Sequence, residues 1–82
     1  MSLIRVKIAY FAALRDQSSK AEESREIEPQ TVREFYLALS EEYGFDIAPR
    51  FIQFAVNCEF VESSKVLQDG DSVVFIPPVS GG

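Results

Sequence analysis

The chain begins with alternation. Ile4, Val6, Ile8 and Tyr10 are apolar, and Arg5, Lys7 and Ala9 stand between them. A period of two with β-branched residues predicts a strand whose apolar side meets a core. Phe11 continues the other face and gives it an apolar end. Residues 12–16, Ala-Ala-Leu-Arg-Asp, read as a short helical turn, and residues 17–24 as a polar loop. A second strand is expected over 24–28, closed by Pro29. Thr31 then reads as an N-cap, with Glu34 completing a capping box. Val32, Phe35, Tyr36, Leu39 and Tyr43 follow at helical spacing, and Gly44 can take the left-handed closing conformation. A helix over 32–43 is the result. Pro49 breaks the next segment. Phe54-Ala55-Val56-Asn57 predicts a third strand and Phe60-Val61 a short fourth, joined by a tight turn at 57–59. Residues 67–69 read as a short helical turn. Asp69-Gly70-Asp71 is a turn signal, and Ser-Val-Val-Phe-Ile over 72–76 is the final strand.

The order is two strands, one main helix, then three strands. It predicts an α+β domain in which the helix packs on one face of a mixed sheet of four to five strands. This order is similar to the ubiquitin-like β-grasp fold, whose first and last strands lie parallel at the sheet centre. Here those two strands are the most apolar, as central strands should be. A ferredoxin-like fold would need a second long helix, and no periodic segment supplies one. The expected division is a domain over residues 1–78 and an extended flexible tail over 79–82.

Length and charge narrow the picture. Eighty-two residues allow one domain with a modest core. With 8 basic and 13 acidic residues the net charge is −5, a poor match to a phosphate backbone, so no nucleic-acid partner is expected. No apolar run approaches the roughly 18 residues that cross a bilayer, and the N-terminus lacks a signal-peptide pattern. A cytoplasmic protein without a membrane partner is the expectation. There is no histidine, and Cys58 is the only cysteine. An internal disulfide, a Cys/His zinc site and a His-based nucleophilic pair are therefore excluded. Any reactive group is expected at the chain terminus rather than on a side chain.

Half of the prolines and half of the glycines fall in the last six residues, Pro77-Pro78-Val79-Ser80-Gly81-Gly82. Pro77 and Pro78 cannot donate to a ladder, so the last strand should end there and the chain should leave the body extended. Val79, Ser80, Gly81 and Gly82 would make a thin arm of about 13 Å. Without Cβ atoms, Gly81-Gly82 could enter a narrow channel and present an unhindered carboxylate.

At this point the sequence resembles the small, sulfur-carrying subunit family of molybdopterin synthase. Phe75-Ile76-Pro77-Pro78-Val79-Ser80-Gly81-Gly82 looks like that family's terminal signature. The run over 67–74, Leu-Gln-Asp-Gly-Asp-Ser-Val-Val, is similar to its approach to the last strand. Tyr10-Phe11-Ala12-Ala13-Leu14-Arg15-Asp16 and Ala55-Val56-Asn57 match two further blocks. Ile76 stands where an aromatic is common, and residues 17–30 match little. The resemblance implies a carrier with no bound cofactor of its own. An E1-like adenylating enzyme would use ATP to activate the carboxylate of Gly82, and a sulfur donor protein would convert the adenylate to a thiocarboxylate. The tail would then enter the large synthase subunit, which holds the catalytic pocket, and pass sulfur to a cyclic pyranopterin. Alternatives are a sulfur carrier for thiamine or tRNA thiolation, a ubiquitin-like protein modifier, and a plain β-grasp binding module.

Strand phase puts Phe11, Val74 and Ile76 on the face away from the helix, next to Pro77 and Pro78. Such a contiguous apolar patch reads as a docking surface for both partners. Arg15 is a candidate contact for the tail or a partner carboxylate. Cys58 reads as an ordinary turn residue, and Glu22, Glu23, Glu41 and Glu42 as solubilising surface charge.

Overall fold

The computed structural model describes residues 2–78. The proposed tail, residues 79–82, lies outside the described residues. Strand β1, Ile4–Tyr10, is followed by helix α1, Ala12–Ser18, and strand β2, Glu22–Ile27. Helix α2 spans Val32–Tyr43. A 3₁₀ turn at Pro49–Phe51 leads into β3, Gln53–Val56, then β4, Glu59–Val61, and β5, Ser72–Ile76. The sheet order is β2-β1-β5-β3-β4. β1 and β5 run parallel, and every other pair is antiparallel. The expected placing of the two most apolar strands side by side inside the sheet holds.

α2 packs on one face. Its Val32, Phe35, Tyr36 and Leu39 are buried, against Ile8 and Tyr10 of β1 and Val73 and Phe75 of β5. Aromatic rings fill the middle, with Tyr36 and Phe75 centroids 5.2 Å apart and Phe54 and Phe75 5.7 Å apart. Edge-on pairs of this kind add to plain burial. The helix begins as expected. Thr31 Oγ1 accepts from the Glu34 amide at 3.1 Å, and Glu34 Oε1 accepts from the Thr31 amide at 2.8 Å. It ends at Gly44, at φ 74°.

Four expectations change. Residues 67–69 form no helical turn. Instead Val66 bridges Thr31, the Leu67 amide donates to the Gln30 carbonyl at 2.9 Å, and Leu67 is buried. This loop also accepts from the first α2 amides, Val32 to Lys65 O at 2.8 Å and Arg33 to Ser63 O at 3.2 Å. Those donors have no partner inside the helix, so the loop satisfies them and loses any reason to coil on itself. Second, Pro49 opens the 3₁₀ turn rather than merely breaking the chain, as suits a residue with no amide to donate. Third, α1 runs on to Ser18, and β2 starts at Glu22 where a loop was expected. Strand pairing with β1, from Ile4↔Ile27 to Ala9↔Glu22, recruits residues too polar to read as a strand alone.

Fourth, Glu23 is not free surface charge. Its carboxylate accepts from Tyr10 OH at 2.6 Å, Tyr43 OH at 2.7 Å and Arg25 Nε at 3.1 Å. Arg25 also forks onto Glu42, which ties β2 to the end of α2. Partial burial pushes the Glu23 pKa up, but the three donors outweigh it and hold the group at about 2. Burial first, and then the bond to Glu23, raises the Tyr10 phenol well above its ordinary range.

Candidate functional site

β5 is the central strand and leads directly to Pro77 and Pro78. Val73 and Phe75 point into the core, while Val74 and Ile76 are half-buried on the open face. Pro77 is itself buried and Pro78 exposed. Ile76, Pro77 and Pro78 form a ridge with a hollow on each side. One, of about 480 Å³, is completed by Phe11, Ala12, Ala13 and Ile47. The other, of about 250 Å³, is completed by Phe51 and Gln53. Phe11 and Phe51 flank the ridge, each about half exposed. Ala12 holds φ 52°, a left-handed value uncommon for a residue with a Cβ. Strain of this kind collects where a scaffold fixes a functional shape.

The pairing registers continue this surface across the open face. Ala9 lies beside Val74, Val74 beside Ala55, and Ala55 beside Phe60. The row ends in Phe60, which is 73% exposed. Toward β2 the face turns polar, with Lys7 paired to Glu22 at 3.5 Å and Arg5 to Glu26 at 4.0 Å.

The structure thus brings Phe11, Ile76, Pro77 and Pro78 together around one hollow, with Val74 in the adjoining row. Arg15 sits on α1, exposed, and makes no ion pair among the described residues. Gly82, Gly81, Ser80 and Val79 lie outside the described residues. Sequence reading missed Ile47, Phe51 and Phe60. Ile47 and Phe51 come from a segment without period. Phe60 carried a signal, since hairpin pairing at a two-residue turn sets it opposite Ala55.

Asn57 fastens this surface to the start of β5. Its amide nitrogen donates to Asp71 Oδ1 at 2.9 Å, and its side-chain oxygen accepts from the Ser72 amide at 2.9 Å. Asp71 is buried and also accepts from the Gln68 amide at 2.8 Å. Gly70, at φ 88°, makes the turn before it and donates to the Arg5 carbonyl at 2.8 Å.

A mixed five-stranded sheet with one main helix across it, and a central last strand parallel to the first, defines a ubiquitin-like β-grasp domain. The ThiS family model matches residues 8–82, and the chain belongs to that family. It is 32% identical to the molybdopterin synthase sulfur carrier subunit of Chlamydomonas reinhardtii, over 96% of this chain and all of that one. It is 35% identical to the protein of the same name from Mycobacterium tuberculosis, over 98% of this chain and all of that one. Among solved structures it is similar to the putative molybdopterin converting factor subunit 1 of Pyrococcus furiosus. There the TM-score is 0.75 and the identity 28%, over 93% of this chain and 99% of that one. It is also similar to a chain in the complex of subunits 1 and 2 of molybdopterin-converting factor from Helicobacter pylori. The TM-score is 0.63 and the identity 25%, over 96% of this chain and all of that one.

Proposed function

We propose that this protein is the sulfur-carrying small subunit of a molybdopterin synthase. The observation that carries the reading is the near full-length likeness to relatives of that name, joined to the terminal Pro77-Pro78-Val79-Ser80-Gly81-Gly82 run. In this reading the chain is no enzyme alone and binds no cofactor. An E1-like enzyme transfers AMP from ATP to the Gly82 carboxylate and releases pyrophosphate. A carboxylate is a poor electrophile until it bears such a leaving group. A sulfur donor then displaces AMP and leaves a thiocarboxylate. Inside the large subunit the thiocarboxylate sulfur bonds to a cyclic pyranopterin as an acyl thioester. Water then cleaves the carbonyl–sulfur bond, and the carrier departs with its carboxylate restored while the sulfur stays on the pterin. Val79, Ser80 and Gly81 thread the tail, while Phe11, Val74, Ile76, Pro77 and Pro78 dock the body. Support for a large-subunit partner comes from the Helicobacter pylori complex.

Intact mass of the chain isolated from its native cell tests this. An oxygen-to-sulfur exchange at Gly82 is expected. Conjugates on the lysines of other proteins would instead mark a modifier. Deleting Gly82, or adding one residue after it, should abolish sulfur loading while the melting temperature stays unchanged. Full loading of the truncated chain would overturn the proposal.

A further inference from the structure

We propose that the cleft between the start of α2, the 3₁₀ turn and β4 is a docking groove for an acidic protein segment that carries an apolar side chain. Two adjoining hollows, of about 360 and 340 Å³, share Pro49, Arg50 and Ser63. Each lies in the range of roughly 300–1,000 Å³ typical of ligand clefts. Ile52, Phe54 and Val61 give the first an apolar floor, and Arg33 closes the second.

The basic residues of the molecule divide into paired and unpaired groups. Arg5, Lys7, Lys20 and Arg25 are all paired with carboxylates, on β1, β2 and the end of α2. Arg15, Arg33, Arg50 and Lys65 make no ion pair among the described residues, although the chain has 13 acidic residues to 8 basic, and two of these four, Arg33 and Arg50, line the hollows. No carboxylate lines either hollow. Glu34 is occupied by the Thr31 cap, and Glu62, on the loop that carries Ser63, is exposed. The Arg33 backbone and the Arg50 side chain each have a fixed contact here. The Arg33 amide bonds the Ser63 carbonyl, and the Arg50 guanidinium stands 4.9 Å from the centre of the Phe51 ring.

A guanidinium takes a carboxylate with two parallel bonds, so two of them beside an apolar floor match an acid–apolar–acid segment. Exposed ion pairs alone are weak, and the apolar side chain must supply the rest. A nucleic acid fits less well, because two cations on a chain of net charge −5 give few phosphate contacts. The groove is continuous with the site already described. Phe60 lines it and ends the open-face row, and Gln53 lines both it and the hollow beside Pro78. One partner seated on the open face can therefore fill it. The inference stands on this geometry and not on the sulfur-carrier reading.

The test is a titration of the ¹⁵N-labelled full chain with a blocked Glu-Asp-Phe-Asp-Glu peptide. The controls are Gln-Asn-Phe-Asn-Gln, Glu-Asp-Ala-Asp-Glu and a short single-stranded RNA. Amide shifts centred on Arg33, Arg50, Ile52, Phe60 and Ser63 are expected. Each peptide control should bind about tenfold more weakly, as should the acidic peptide to an Arg33→Gln, Arg50→Gln double variant with an unchanged melt. Shifts centred elsewhere, no shifts at all, equal binding of the neutral peptide, or tighter binding of the RNA at these residues would each overturn the proposal.

Discussion

Glu23 shows how one carboxylate joins three elements. It takes hydroxyl bonds from Tyr10 on β1 and Tyr43 on α2, and an ion pair from Arg25 beside it on β2. Glu23→Gln removes the charge and one acceptor from a site only 12% exposed. It should cost about 1–3 kcal/mol at neutral pH, read as a lower urea midpoint. The pH dependence has a definite sign. The folded carboxylate titrates near 2, below its usual value of about 4.3. Its contribution is therefore complete above that usual value and is lost as pH falls from there through 2. Between those limits the variant should lose stability less steeply than the parent, and parallel slopes would refute the linkage. Cys58 is a second case. Asn57 and Cys58 hold φ 53° and 70° in the β3–β4 turn. Asparagine tolerates that region, whereas cysteine bears a left-handed cost of roughly 1–2 kcal/mol. Cys58→Gly should raise stability by about 0.5–1 kcal/mol, after the entropy of glycine is deducted. A lower thermal midpoint would contradict this.

At the level of elements, α2 tests whether a sequence signal carries energy. Thr31→Ala breaks the reciprocal cap and should cost about 0.5–2 kcal/mol in denaturant, with binding and loading unchanged while the domain stays folded. α2 was legible because cap, period and Gly44 agree over 14 consecutive residues, 31–44. β1 and β5 were legible because alternation with Val and Ile is strong in both. β2 was half legible, since Glu22 and Glu23 carry no apolar signal and become strand only through pairing with β1. Leu67 was misread because its packing depends on a loop that crosses the helix start, a contact far apart in the chain. The same limit governs the site. Ile76, Pro77 and Pro78 could be read from local chemistry. Ile47 and Phe51 could not, because only the fold carries those loops to either side of the ridge.

Across the whole molecule, one face is closed by α2 and the other carries an apolar row, Ala9, Val74, Ala55 and Phe60, that crosses the strand leading to Pro77 and Pro78. On the proposed function, a four-residue tail offers too little buried area to hold a partner alone, and the body is expected to dock as well. If the activating enzyme and the synthase large subunit use the same face, the carrier must leave one before it meets the other, which suits a shuttle. Phe11 gives the cleanest test. It is 51% exposed beside the ridge, and it occupies the N-cap position of α1 without any side-chain cap bond. Aspartate is a favoured N-cap, so Phe11→Asp should leave the melt within about 1 kcal/mol of the parent. In a complex the same carboxylate would be desolvated without a partner, at about 1–3 kcal/mol. Affinity for each purified partner should then fall by about tenfold or more. Ile76→Asp is the poorer probe, because Ile76 is half-buried in the central strand and pairs with Gln53, so its loss also weakens the sheet. Unchanged affinity of Phe11→Asp for both partners would refute the docking face. Loss for only one of them would refute its sharing, and the order of encounters would then have to be set elsewhere on the molecule.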